Sequence, residues 1–255
     1  MHADATGDGR TLVGHASTEA PRERGFRLTL LKGFELTSDG SGVPLSFGTQ
    51  RLLAYLALHQ RSTPRLQVAG ILWADVPDER AAGNLRSALW RLRQPGFDLV
   101  GSARDCLSLS SAVVVDIRET ERLARQVMDP AVDVRTLSLD GLPFSGELLP
   151  GWYEDWIVLE RERQRQICLH ALESLCERWA AAGQYAKSIM AGLAAVTGEP
   201  LRESAHRALI KAYIAEGNPG EAIRQYRLYR DILRRELQLD PSQHVTALLI
   251  GLSAP

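Results

Sequence analysis

The stretch RAAGNLRSALWRLR (Arg80–Arg93), followed by FDLV (Phe97–Val100), GSARD (Gly101–Asp105) and CLSL (Cys106–Leu109), decides how the N-terminal half is read. Leu85, Leu89 and Leu92 recur at spacings of four and three, which predicts an amphipathic helix from about Arg80, ended by Pro95-Gly96. At about 100° per residue, Leu85, Ala88, Leu89 and Leu92 form one apolar stripe. Asn84, Ser87, Trp90 and Arg91 lie opposite, with Arg86 and Arg93 on the flank. The two short alternating runs predict a β-hairpin with a five-residue tip, Gly101 to Asp105.

Upstream, helical spacing from about Thr49 puts Leu52, Leu53, Leu56 and Ala57 on one face. Ser62-Thr63-Pro64 stops that helix and starts a second, whose buried side is read as Leu66, Ala69, Ile71, Leu72 and Trp73. Before them, Phe26–Leu30, Phe34–Leu36 and Val43–Phe47 alternate between turn residues and predict a small antiparallel sheet of three strands. Three strands, three helices and a hairpin make a winged helix-turn-helix. Its recognition helix is the third helix and its wing is the hairpin.

Downstream of Asp116 the texture is helical. Leu175 and Leu209, Trp179 and Tyr213, Gly183 and Gly217, and Ile189 and Ile223 are each 34 residues apart. That period, with its order of aromatic, glycine and apolar positions, is the pattern of a tetratricopeptide-like helical hairpin. Each glycine is expected at a helix end with positive φ. The longer interval from Gly217 to Pro241 predicts a second helix about two turns longer in the second unit. The helices around Trp152–Arg178 and Ser242–Leu252 are candidates for the remaining stacking surface. The fold class is therefore mainly α with a small β component. Residues 1–25 read as a polar, disordered leader, 26–113 as the winged helix and 117–255 as the all-α repeat domain.

The 255 residues are 45% hydrophobic and 24% charged, with three cysteines and a net charge of −1. This composition fits ordinary globular domains. No apolar run is long enough to cross a membrane, and the leader lacks the apolar segment of a secretory signal. Cys106, Cys168 and Cys176 lack CxxC spacing, so neither a disulfide framework nor a zinc site is expected, and a cytoplasmic location fits. Cys168 and Cys176 read as small buried hydrophobes, and His170 and His206 as helix-surface or packing residues. Glu154-Asp155 reads as an exposed face beside two buried indoles. No nucleotide-binding, metalloprotease or serine-hydrolase motif occurs. No catalytic residue, metal or cofactor is assigned, and the chain is not read as an enzyme.

Near-neutrality argues mildly against nucleic acid until the chain is divided. Residues 26–116 hold ten Lys/Arg and eight Asp/Glu, whereas residues 117–255 hold 17 and 19. Arg80 to Arg93 contains four arginines and no acid. Such a face suits a major groove: Asn84 for adenine, Arg91 for guanine and Ser87 for a base or phosphate. Arg51, Arg65, Arg86 and Arg93 are assigned to phosphates, and Arg104 at the wing tip to the minor groove or backbone. Trp90 stacks on sugar or packs on a neighbouring helix. Asp75, Val76, Pro77, Asp78 and Glu79 form an acidic loop that phosphate would repel, so it is expected to face a protein.

Five stretches, in this order and spacing, carry a family resemblance: QRLLAYL (Gln50–Leu56), LWADVP (Leu72–Pro77), NLRSALWRLR (Asn84–Arg93), LLPGWYEDW (Leu148–Trp156) and ERER (Glu160–Arg163). From about Phe26 onward the chain resembles the short form of the Streptomyces antibiotic regulatory protein (SARP) family. These proteins join an OmpR-like winged helix to a bacterial transcriptional activator domain. The resemblance implies a transcriptional activator, of a specialised metabolic gene cluster, that binds direct repeats in double-stranded promoter DNA. It also implies self-association on DNA and recruitment of RNA polymerase, partly through the sigma subunit, with Asp75 to Glu79 facing the polymerase. ATP dependence is not implied, because the sequence has no P-loop. The wing departs from the family, with Asp105-Cys106-Leu107 where a Gly-aromatic pair is common. Two alternatives stay open. One is a helical-repeat adaptor whose winged helix binds protein, distinguished by the lack of any salt-sensitive gel shift on native promoters. The other is a regulator whose repeat domain senses a small molecule or partner.

Overall fold

The computed structural model describes residues 25–93, 97–137, 144, 146–250 and 252. The expected leader, apart from Gly25, and the helix stop at Pro95-Gly96 lie outside the described residues. Strands β1 (Phe26–Thr29), β2 (Glu35–Ser38) and β3 (Ser41–Gly42) form the antiparallel meander, paired Leu28 to Leu36 and Thr37 to Gly42. The third strand is two residues long and lies upstream of the expected Val43–Phe47. Pro44 has no N–H for a ladder. The Ser46 carbonyl accepts from the Thr49 and Gln50 amides, which opens helix α1 (Phe47–Leu58) there instead.

A two-residue strand β4 (Thr63–Pro64) leads into α2 (Arg65–Leu72), and α3 spans Asp78–Leu92. The buried face of α3 is Ala81, Leu85, Ala88, Leu89 and Leu92, as the heptad spacing requires. On α2 the buried residues are Val68, Ala69 and Leu72. Leu66, expected inside, is 75% exposed because it falls on the opposite face of this two-turn helix. The wing is β5 (Val100–Ala103) and β6 (Cys106–Leu109). Its tip has two residues, not five: Arg104 and Asp105 both have positive φ, 48° and 61°. Such a turn matches the twist of the strands, so the ladder runs from Val100–Leu109 to Ala103–Cys106. β4 adds to the other edge of β6.

The chain then returns as β7 (Val113–Val115), which pairs in parallel with β1 and makes the first sheet four-stranded, in the order β3-β2-β1-β7. The alternation reading did not include this strand. One core holds both sheets and the three helices, from Phe26 through Leu56, Leu72, Leu89 and Leu107 to Val115.

Helix α4 (Asp116–Met128) ties the two halves together. The Asp116 carboxylate accepts from the Leu30 and Leu31 amides at 2.9–3.0 Å, capping the end of β1. Arg118 donates to the Leu56 and Ala57 carbonyls at the end of α1. Its far end, Ala124 and Val127, enters the core of the helical region. A second tie is the strap 147–152. Leu149 N–H donates to Leu30 and Lys32 N–H to Glu147, and Leu148 and Leu149 are buried in the first core.

Beyond it stand α5 (Asp155–Ala181), α6 (Tyr185–Gly198), α7 (Glu203–Glu216), α8 (Pro219–Leu237) and the short α9 (Gln243–Thr246). The 34-residue register holds. Leu175, Leu209 and Trp179 are fully buried and Tyr213 nearly so. Gly183 (φ 73°) and Gly217 (φ 84°) turn the chain at equivalent helix ends. α8 exceeds α6 by five residues, about one and a half turns at 3.6 residues per turn. The expected two turns are not reached because Gln238 adopts φ 58° and ends the helix before Pro241. Gly192 sits at a close approach in the stack: a Cβ there would lie 3.0 Å from Leu209 Cδ1 and 3.1 Å from Cys176 Sγ.

His206 and Gln225 form the buried polar centre of the second hairpin. A carbonyl cannot donate, so His206 Nε2–H donates to Pro200 O at 2.9 Å, and Gln225 Nε2 donates to Nδ1 at 2.9 Å. Burial pushes the His206 pKa below its ordinary value, and the ring stacks on Tyr229 at 4.2 Å. The unfolded chain therefore takes up a proton that the native state refuses as pH falls through about 6.5. Native stability is expected to fall between there and the lower native pKa. Urea melts at pH 7.5 and 5.5 measure this. His206→Gln removes that component of the pH dependence, and an unchanged pH dependence in the variant refutes the assignment. Burial pushes the Cys168 and Cys176 thiols up to about 11, which disfavours the nucleophilic thiolate.

Candidate nucleic-acid interface

α3 supplies the site because its apolar stripe is consumed by the core, which leaves one face outward. That face and Arg65 at the start of α2 border an open groove lined by Arg65, Gly83, Arg86, Ser87, Leu89, Trp90, Arg91 and Arg93. Among the described residues, four guanidinium side chains and no carboxylate line it. Arg86, Ser87, Arg91 and Arg93 are exposed, and Asn84 is half-buried on the flank outside the groove lining. Trp90 is 75% exposed within the groove, so it does not pack on a neighbouring helix.

The side chains are partly organised. Ser87 Oγ donates to Gly83 O at 3.0 Å, one turn back. Arg91 Nη1 reaches Ser46 Oγ at 3.4 Å, and that hydroxyl also meets Thr49 Oγ1 at 2.9 Å. Ser46 had no signal in the sequence, because it precedes α1 and meets Arg91 only through the packing of α1 on α3. Arg65 donates to Ser102 Oγ at 2.8 Å and pairs with Asp105 at 3.4 Å, so it braces the wing against α2. Arg104 stands exposed at the wing tip.

Two assignments change. Arg51 is absent from the groove: its Nε lies 2.7 Å from Glu154 Oε1, in a half-buried pair joining α1 to the segment before α5. Glu154 is accordingly not a free exposed acid. The flanking Trp152 and Trp156 are half-buried, against Phe47 (5.0 Å) and Tyr55 (5.4 Å) respectively. Secondly, Asp78 and Glu79 are not loop residues but the first turn of α3, where their charges complement the helix dipole. The exposed loop proper is Ala74 to Pro77, with Val76 half-buried.

The model of the bacterial transcriptional activator domain matches residues 115–250, more than half the chain. The chain belongs to the bacterial transcriptional activator domain family. The regulatory protein AfsR of Streptomyces coelicolor is 28% identical over 218 residues, covering 80% of this chain and 22% of AfsR. The chain thus spans about a fifth of that relative's length. EmbR of Mycobacterium tuberculosis, solved in complex with a low-affinity phosphopeptide, superposes with a TM-score of 0.70 at 21% identity. The match covers 90% of this chain and 65% of EmbR, a likeness of fold. The matched family is one of bacterial transcriptional activators. Among the described residues no helix is long and apolar enough to cross a membrane.

Proposed function

We propose that the chain is a sequence-specific DNA-binding transcriptional activator, with 26–113 as its DNA-binding winged helix and 117–255 as its activator domain. The observation that carries this reading is the acid-free arginine groove on the outward face of α3. α3 lies in the major groove. Arg91 and Ser87 read bases with Asn84 at the edge, Arg86 and Arg93 hold phosphates, and Arg104 brings the wing to the backbone. Arg65 acts by fixing the wing, and Trp90 lies against sugar. Head-to-tail copies occupy direct repeats and meet on the DNA. The Asp75–Glu79 corner, on the side of α3 away from its basic C-terminal turns, faces RNA polymerase and its sigma subunit. The protein works in the cytoplasm, on the nucleoid.

The test is binding of the full chain to the promoter of its neighbouring operon and to random DNA across a salt series. Log K is expected to fall linearly with log salt, by about 0.9 per phosphate contact. Arg86→Ala should weaken both DNAs alike and reduce the slope by about one contact. Arg91→Ala should cost about 1–3 kcal/mol on the specific site and leave random DNA nearly unchanged. Equal losses on both DNAs would remove Arg91 from the base-reading set. The absence of any salt-sensitive shift would overturn the DNA reading altogether.

A further inference from the structure

Between α5, α6 and the strap lies a cavity of about 680 Å³, within the range of small-molecule sites. Its walls are mainly apolar: Phe144, Leu148, Leu169, Leu172, Met190 and Ala194. Two cations border it, and both are already matched. Arg161 is paired with Glu147 and donates to three backbone carbonyls. Arg165 is paired with Glu162 and with Glu199. Among the described residues no charge in the lining is left for an ionic ligand.

Gln164 differs. It lines the cavity, it is 3% exposed, and its Oε1 has no hydrogen-bond partner among the described residues. Its Nε2 makes only a 3.5 Å contact with Cys168 Sγ. A buried acceptor without a donor is destabilising, and the deficit is removed when a donor arrives. Among the described residues the lining combines apolar surface, one buried acceptor without a partner and no unpaired charge, and these set the ligand's chemistry.

We infer that this cavity is a binding site for a neutral, largely apolar small molecule carrying one hydroxyl or amide N–H, which donates to Gln164. The site is separate from the arginine groove, and its test does not depend on DNA binding. Its wall includes Leu148, which bridges to Leu31 just beyond the end of β1. A ligand seated there therefore touches the strip that joins the two regions.

The probe is 1-naphthol, an apolar bicycle with one O–H, compared with its methyl ether, which has the same body and no donor. Both are titrated into the full chain by calorimetry. The site predicts saturable one-to-one binding of 1-naphthol and at least tenfold weaker binding of the ether. Gln164→Leu should bring the two ligands to within about twofold of each other. Ala194→Trp and Thr197→Trp, at exposed positions of the lining, should each weaken 1-naphthol at least tenfold while far-ultraviolet circular dichroism stays unchanged. The inference is overturned by absence of saturable binding, by equal affinity for the two ligands in the parent chain, or by naphthol binding that both tryptophan variants leave intact.

Discussion

Trp179→Ala is expected to destabilise the helical region by about 3–5 kcal/mol, near the upper end for a single core truncation. The indole is fully buried, and the neighbours it packs among include Cys176, Ala191, Ala208 and Ala212. Alanines cannot reach into the void, so the cavity would stay open. Its Nε1–H also donates to Val134 O at 2.9 Å, pinning the single turn after α4. The truncation removes this bond as well and leaves the Val134 carbonyl only the Leu137 amide, at 3.1 Å. Trp179→Phe keeps most of the apolar volume and loses the donor, so it should cost markedly less. Urea denaturation followed by circular dichroism at 222 nm gives both numbers. A loss below about 1 kcal/mol for the alanine variant would show that the stack closes around the gap.

The second large effect is expected at Arg161. Its guanidinium, extended from α5, donates to Leu148 O (3.0 Å), Leu149 O (2.9 Å) and Trp152 O (3.0 Å). These carbonyls belong to a strap with an unusual backbone: Leu149 has φ 46°, a conformation that a branched side chain seldom adopts. The planar fork of arginine reaches these three acceptors from two separate nitrogens in fixed geometry, whereas an ammonium holds its donors on one atom. Arg161→Met keeps the aliphatic stem and strips all three, at about 1 kcal/mol each or about 3 kcal/mol in total. Arg161→Lys should fall between. Hydrogen exchange locates the loss, since the Leu149 and Lys32 amides close the strap onto Leu30 and Glu147. Their exchange should quicken in the methionine variant well before that of α7. Unchanged exchange at these two amides would mean that the apolar contacts of Leu148 and Leu149 hold the strap unaided.

The groove and the strap were legible to different degrees. Leu85, Leu89 and Leu92 gave away α3 and its outward face, because a helix places residues three and four apart on one side whatever surrounds it. The same local rule exposed the equivalent positions of Gly183 and Gly217. It failed at Leu66, where a helix of two turns has too few residues to fix a face. It also failed at the wing tip, where Arg104-Asp105 lacks the glycine that usually announces a two-residue turn. Arg51 reads as a surface cation until the fold brings Glu154, about a hundred residues away, to within 2.7 Å of it.

The sequence by itself determined the helical periods, the 34-residue repeat and the acid-free arginine face, all of which depend on neighbours within one or two turns. Only the tertiary structure decided that Val113–Val115 joins β1 in parallel and that Asp116 caps that strand's end. It alone also decided that Arg51 and Arg161 bind the two regions rather than a ligand, and that Gln164 faces a cavity without a donor. Each depends on groups brought together across tens of residues. Such a contact exists only once the chain has closed the intervening loops, and no local pattern records it.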